Sequence, residues 1–97
     1  MQIIIKGLHG LHIPDDIKSY AHDKISLHLD GYNEPTVCEV VCDDTHGKGA
    51  DNKYVHITVI SSHIKNPIHV ELGAKNFFTA IDTATDKLAR ALHHAKR

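Results

Sequence analysis

The sequence predicts a two-layer α/β sandwich of the α+β class, with a four-stranded sheet and two helices on one face. Three observations predict it. Four short segments alternate apolar and polar residues with the period of a strand. Pro14-Asp15-Asp16 places a proline and two carboxylates where a helix begins. Residues Asn76 to Arg97 set Phe77, Ile81, Ala84, Leu88, Leu92 and Ala95 on one narrow helical stripe.

In chain order, residues 2–7 form the first strand, with Ile3 and Ile5 on one side and Gln2, Ile4 and Lys6 on the other. Gly7 to Ile13 is a short connector. The first helix runs from Pro14 to about Leu29, with Ile17, Tyr20, Ala21 and Ile25 on its apolar side and Gly31 as terminator. Ile13 is a poor N-cap, so this start is open to fraying or a shift. His28 falls on the buried side, where a leucine fits better, and either Leu27 or Leu29 takes that slot if the helix deforms. Asn33 to Pro35 turns the chain into a second strand, Thr36 to Asp43, and a polar loop from Asp44 to Asn52 carries His46 and Lys48. The third strand, Lys53 to Ser61, puts Val55, Ile57 and Val59 on one face. After a turn at Ser62 to Pro67, the fourth strand runs from Ile68 to about Leu72, with His69 and Glu71 outward. The order is β-α-β-β-β-α, and strands two to four pair as an antiparallel meander. Two helices then cover one sheet face, and the Thr, His, Glu and Lys of the other face suit contact with water.

Ninety-seven residues with 41% hydrophobic content make one domain with a single core. A net charge of −1 gives no overall attraction to nucleic acid, so polyanion binding requires a local patch. Ile3 to Ile5 is too short for a signal peptide, and nothing reaches membrane-spanning length. A cytoplasmic protein is expected. Cys38 and Cys42 share a strand face about 13 Å apart, too far for a disulfide, and read as buried thiols. Ten histidines are spread over every predicted element without helical His-x3-His or Cys-x2-Cys spacing, so the sequence assigns no metal site or cofactor. Asp43-Asp44 and Ser61-Ser62-His63 supply loop polar groups, but no nucleophile elbow, P-loop or paired-carboxylate pattern accompanies them. An enzyme is not expected.

The candidate site lies on the last helix, which is about 30 Å long. Asn76 is a good N-cap, and Thr83, Lys87, Arg90, His94 and Arg97 step along a face separate from the core stripe. Residues 87–97 hold Lys87, Arg90, Lys96 and Arg97, with His93 and His94 between them, and no acid. The other 86 residues hold seven Lys, no Arg and all twelve acids. An amphipathic helix with a solvated charged face is common, and this separation of sign is what distinguishes the present one.

Phe77-Phe78-Thr79-Ala80-Ile81-Asp82, continued by Asp86-Lys87-Leu88-Ala89-Arg90-Ala91-Leu92, closely resembles the final helix of the ribosome hibernation promoting factors. That family also includes ribosome-associated inhibitors and sigma-54 modulation proteins. Met1-Gln2-Ile3 with Gly7, the Pro14 helix with Tyr20 and Lys24, and Ile68-His69 are similar too. The resemblance spans nearly the whole chain, and the last helix carries its specificity.

The resemblance implies a fold similar to double-stranded-RNA-binding domains. It also implies binding to the small ribosomal subunit in the channel of messenger RNA and A- and P-site transfer RNA. Translation is blocked there, and idle ribosomes are preserved in stationary or stressed cells. By position, the residues expected to contact ribosomal RNA are Lys18 and Lys24 on the first helix, and Lys87, Arg90 and Lys96 on the second. His93, His94 and Arg97 lie beside them. Family members usually carry more Lys or Arg on the first helix, where this chain has His22, Asp23, Ser26 and His28. A short form is expected: one ribosome-binding domain over residues 1–97, without a C-terminal dimerisation domain, monomeric, and acting alongside a separate ribosome modulation factor. The alternatives are a general structured-RNA-binding module and a histidine-rich metal-binding protein.

Overall fold

Alternation along the strands and the helical period along the last segment fix the layers before any tertiary contact is considered. The computed structural model describes residues 2–29, 36–45 and 52–95. The elements are β1 (Gln2–Gly7), α1 (Asp15–His28), β2 (Thr36–Asp44), β3 (Lys53–Ser61), β4 (Ile68–Ala74) and α2 (Phe77–Ala95). The expected turn at Asn33–Pro35, the terminator Gly31, and the loop residues His46 and Lys48 lie outside the described residues.

The sheet order is β1-β2-β3-β4. β1 runs parallel to β2, with Gln2 opposite Val37 and Gly7 opposite Cys42, and α1 provides the crossover that parallel neighbours require. β2, β3 and β4 form the expected antiparallel meander. Cys38, Val40 and Cys42, then Val55, Ile57 and Val59, enter one core with Ala21, Ile25 and Leu29 from the α1 segment. Ala80, Ile81, Ala84, Leu88 and Leu92 of α2 join the same core. Both helices therefore cover one sheet face. On the other face Glu39, Val41, His56 and Thr58 are half-buried, and His69 and Glu71 are exposed.

Several boundaries move for local reasons. The residue before a proline is driven toward extended backbone, so Ile13 joins the core and Pro14, with ψ 150°, becomes the N-cap. The Pro14 carbonyl accepts from both Ile17 and Lys18 N–H at 3.1 Å. At the other end Leu29 is buried and Leu27 is 75% exposed, so Leu29 fills the slot that His28 does not suit. β4 continues past Leu72 because Gly73 lies opposite Tyr54 and lets its ring lie over the backbone. A Cβ at that glycine would come within 2.7 Å of the ring. After β1, Leu8 to Leu11 makes a type I′ turn, with φ 54° at His9 and 75° at Gly10 and a 2.9 Å bond from Leu11 N–H to the Leu8 carbonyl.

Both thiols are buried and unbonded to one another. Burial pushes Cys38 up to about 12 and Cys42 to about 11, which leaves the reactive thiolate unpopulated at neutral pH.

Candidate nucleic-acid interface

α2 is anchored at its start and along one face. Asn76 Oδ1 accepts the Thr79 N–H at 2.8 Å, satisfying one of the donors left unpaired at a helix start. The core stripe of α2 packs on β3 and β4. Thr85 is also buried, its hydroxyl donating to the Asp82 carbonyl at 3.0 Å. With that face fixed, Lys87, Arg90, His93 and His94 are exposed. Among the described residues no carboxylate pairs with Lys87 or Arg90. By helical geometry Lys87, Arg90 and His94 lie within about 60° of one another. His93 and His94 meet edge to face, with ring centroids 5.6 Å apart.

Of the two acids of α2, exposed Asp86 lies one turn before Arg90 without pairing with it, and Asp82 occupies a different sector. Asp82 lies about 80° or more from each member of that cationic stripe, turned toward α1. It accepts a hydrogen bond from the Tyr20 hydroxyl, and Lys24 Nζ stands 3.3 Å from its Oδ1. Lys24 lies 5.9 Å from the Tyr20 ring centroid, and the Phe78 ring meets Tyr20 edge-on at 5.2 Å. The Tyr20 hydrogen bond, helped by Lys24, holds the Asp82 carboxyl below the usual carboxylate range. The same contact raises the Tyr20 hydroxyl and, through Asp82, the Lys24 ammonium. This cluster ties α1 to α2, and nothing in either helix taken alone announces it.

The residues expected from the sequence are therefore only partly gathered. Lys87, Arg90, His93 and His94 share α2. Lys24 sits in the seam between the helices with its charge engaged by Asp82. Lys18 is exposed on the flank of α1 over β1, where Ile5, Lys18, Ser19, His22 and Asp23 line a shallow depression. Lys96 and Arg97 lie outside the described residues. A stripe of this kind has the chemistry to hold phosphates by charge and shape, because Lys and Arg on a rigid helix can position a nucleic acid without reading its bases.

On the far side of the sheet, His56, His69 and Glu71 form a group with metal-ligating chemistry. Sequence spacing does not show this group, because none of its spacings is a helical or Cys-based ligand motif. The grouping arises from strand register. No helix among the described residues is long and apolar enough to cross a membrane.

Comparison with known proteins agrees with the fold. The chain is similar to the N-terminal domain of Protein Y from Thermus thermophilus, at 23% identity and a TM-score of 0.77, over 97% of this chain and 98% of that one. It is also similar to a ribosomal subunit interface protein from Coxiella burnetii, at 15% identity and a TM-score of 0.75, over 97% and 96% of the two chains. At these identities the likeness is one of fold. No curated protein matches the chain. The model of the family described as sigma 54 modulation protein / S30EA ribosomal protein matches residues 3–97. The chain thus belongs to the sigma 54 modulation protein / S30EA family, the ribosome hibernation factors, whose members bind ribosomes and are not enzymes.

Proposed function

We propose that this protein binds the small ribosomal subunit in the channel for messenger and transfer RNA and holds ribosomes inactive in stressed or stationary cells. The observation that carries this reading is the cationic stripe of Lys87, Arg90 and His94, with His93 beside it, exposed on a helix whose opposite face is locked into the core, with no carboxylate paired to Lys87 or Arg90 among the described residues. Ribosomal RNA supplies the complementary phosphates, and the occupied channel excludes the translational ligands. Lys96 and Arg97 extend the same basic segment in sequence, and Lys18 and Lys24 are secondary contacts from α1. The protein works in the cytoplasm as a monomeric domain, with a ribosome modulation factor as a candidate companion. The structural neighbour from Coxiella burnetii, a ribosomal subunit interface protein, is compatible with this placement.

Sucrose-gradient sedimentation with separated subunits tests the proposal. The protein is expected to travel with the small subunit at low salt and to leave it as salt rises. A protein that remains at the top of the gradient, or travels with the large subunit alone, refutes it.

A further inference from the structure

The open face of the sheet gathers three side chains that sequence spacing keeps apart. In the antiparallel pairing of β3 with β4, His56 stands opposite Glu71 and Thr58 opposite His69. His69 and Glu71 are two residues apart on one strand and so point to the same side. Strand period and strand register together converge them on one point. His56 Nδ1 lies 3.4 Å from Glu71 Oε2, and His69 Nε2 lies 3.9 Å from the same oxygen. All three ligand atoms lie within 4.8 Å of one another.

We propose that His56, His69 and Glu71 bind one divalent transition-metal ion of the Zn²⁺ type, with a further coordination position open to solvent. Tetrahedral Zn²⁺, with bonds of about 2.0–2.2 Å to nitrogen and oxygen, places its ligand atoms about 3.3–3.6 Å apart. The His56–Glu71 separation already meets this, the His69–Glu71 separation is a few tenths of an ångström longer, and the His56–His69 separation, within 4.8 Å, must shorten most. Small side-chain rotations close the remainder, since the site is at the surface and its ligands are not locked by packing. Two imidazoles and one carboxylate suit Zn²⁺, Ni²⁺ or Cu²⁺. Ca²⁺ and Mg²⁺ prefer oxygen ligands throughout.

Two further features favour a site over a chance grouping. Thr58 Oγ1 lies 2.9 Å from His69 Nδ1, on the ring edge away from Glu71. With Nδ1–H donating to that hydroxyl, the lone pair of Nε2 faces the proposed ion, and an outer partner of this kind is what orients ligating histidines. His56 lies on β3, which is paired on both sides, opposite Val41 of β2 and Glu71 of β4, so its backbone is held by two ladders. The ion brings two positive charges to the reverse side of the two strands that carry α2. The inference rests on this geometry and is independent of ribosome binding.

Calorimetric titration of the whole chain with zinc chloride at pH 7.5 tests it. One saturable site per chain is expected. His56→Gln and Glu71→Gln should each weaken it at least about 100-fold, and Thr58→Val, which removes only the outer hydrogen bond, about 10-fold. His9→Asn combined with His12→Gln removes the histidines of the loop after β1 and should leave the affinity unchanged. Excess Mg²⁺ should not compete. Zinc should also raise the melting temperature of the parent but not of His69→Gln, because only a ligand held by the folded state stabilises it. The proposal is overturned by the lack of a saturable site. It is equally overturned by affinity that survives in His56→Gln and Glu71→Gln, or that disappears in the His9/His12 variant.

Discussion

Replacing Lys87 and Arg90 together by Gln separates binding from folding. Both side chains are exposed and lie off the core stripe, so the double variant should keep its circular-dichroism spectrum and melt within about 4 °C of the parent. Its affinity for ribosomes should fall much further. Each lost phosphate contact removes about 0.7–0.9 from the slope of log affinity against log salt, so two remove about 1.4–1.8. At about 0.1 M salt the same slope corresponds to a loss of about 25–60-fold. Lys24→Gln provides the contrast, because Asp82 already engages that ammonium at 3.3 Å. It should weaken binding by less than either α2 substitution while lowering the melting temperature through loss of the α1–α2 tie. The assay is sedimentation binding at four or five salt concentrations, beside thermal melts. An unchanged slope in a folded double variant, or a larger binding loss from Lys24→Gln, refutes the assignment of the interface to the outer flank of α2.

Affinity for ribosomal RNA should fall in His93→Gln with His94→Gln, by less than in the Lys87 and Arg90 variant, because Lys and Arg make the stronger charge-assisted bonds to phosphate; binding curves at fixed pH and ionic strength check it. Asp82→Asn should destabilise the fold at pH 7 and flatten the acid limb of its stability curve. The folded carboxyl is held below its unfolded value of about 3.9, so its contribution is complete above that value and lost as pH falls through the lower folded one. Tyr20 and Lys24 are raised, so their share is complete below their unfolded values and is lost in alkali; denaturant melts across pH read both limbs. Gly7→Ala should cost about 1–3 kcal/mol in a urea melt, since its Cβ would stand 2.3 Å from the Leu11 carbonyl oxygen and backbone must shift.

Elements and faces were legible wherever a period is strong. Phe77, Ile81, Ala84, Leu88 and Leu92 read as core from the helical repeat alone, and all are buried. The inward sets of β2 and β3 follow from alternation in the same way. Thr85 was missed because a hydroxyl suggests a surface position until the Asp82 carbonyl is seen to accept from it. Ile13 and Ile64 lie in connectors, and only tertiary packing shows that both enter the core. The β2-β3-β4 meander was legible from its short turns, but the place of β1 was not, because alternation fixes which face a strand buries and not which strand lies beside it.

The same distinction governs the sites. The cationic stripe of α2 is local, so its spacing reveals it. The Lys24–Asp82 tie and the His56–Glu71 pair join residues far apart in the chain, and they become visible only once helix packing and strand register are known. A lysine counted as free by composition is thereby engaged, and histidines that look scattered are brought together.

Competition on isolated small subunits decides whether this domain occupies the channel that translation uses. Labelled protein is bound to small subunits, and messenger RNA with its cognate transfer RNA is then titrated in. Mutual exclusion is expected, with displacement complete at saturating ligand and the reverse displacement at excess protein. Simultaneous, independent binding of all three would contradict it.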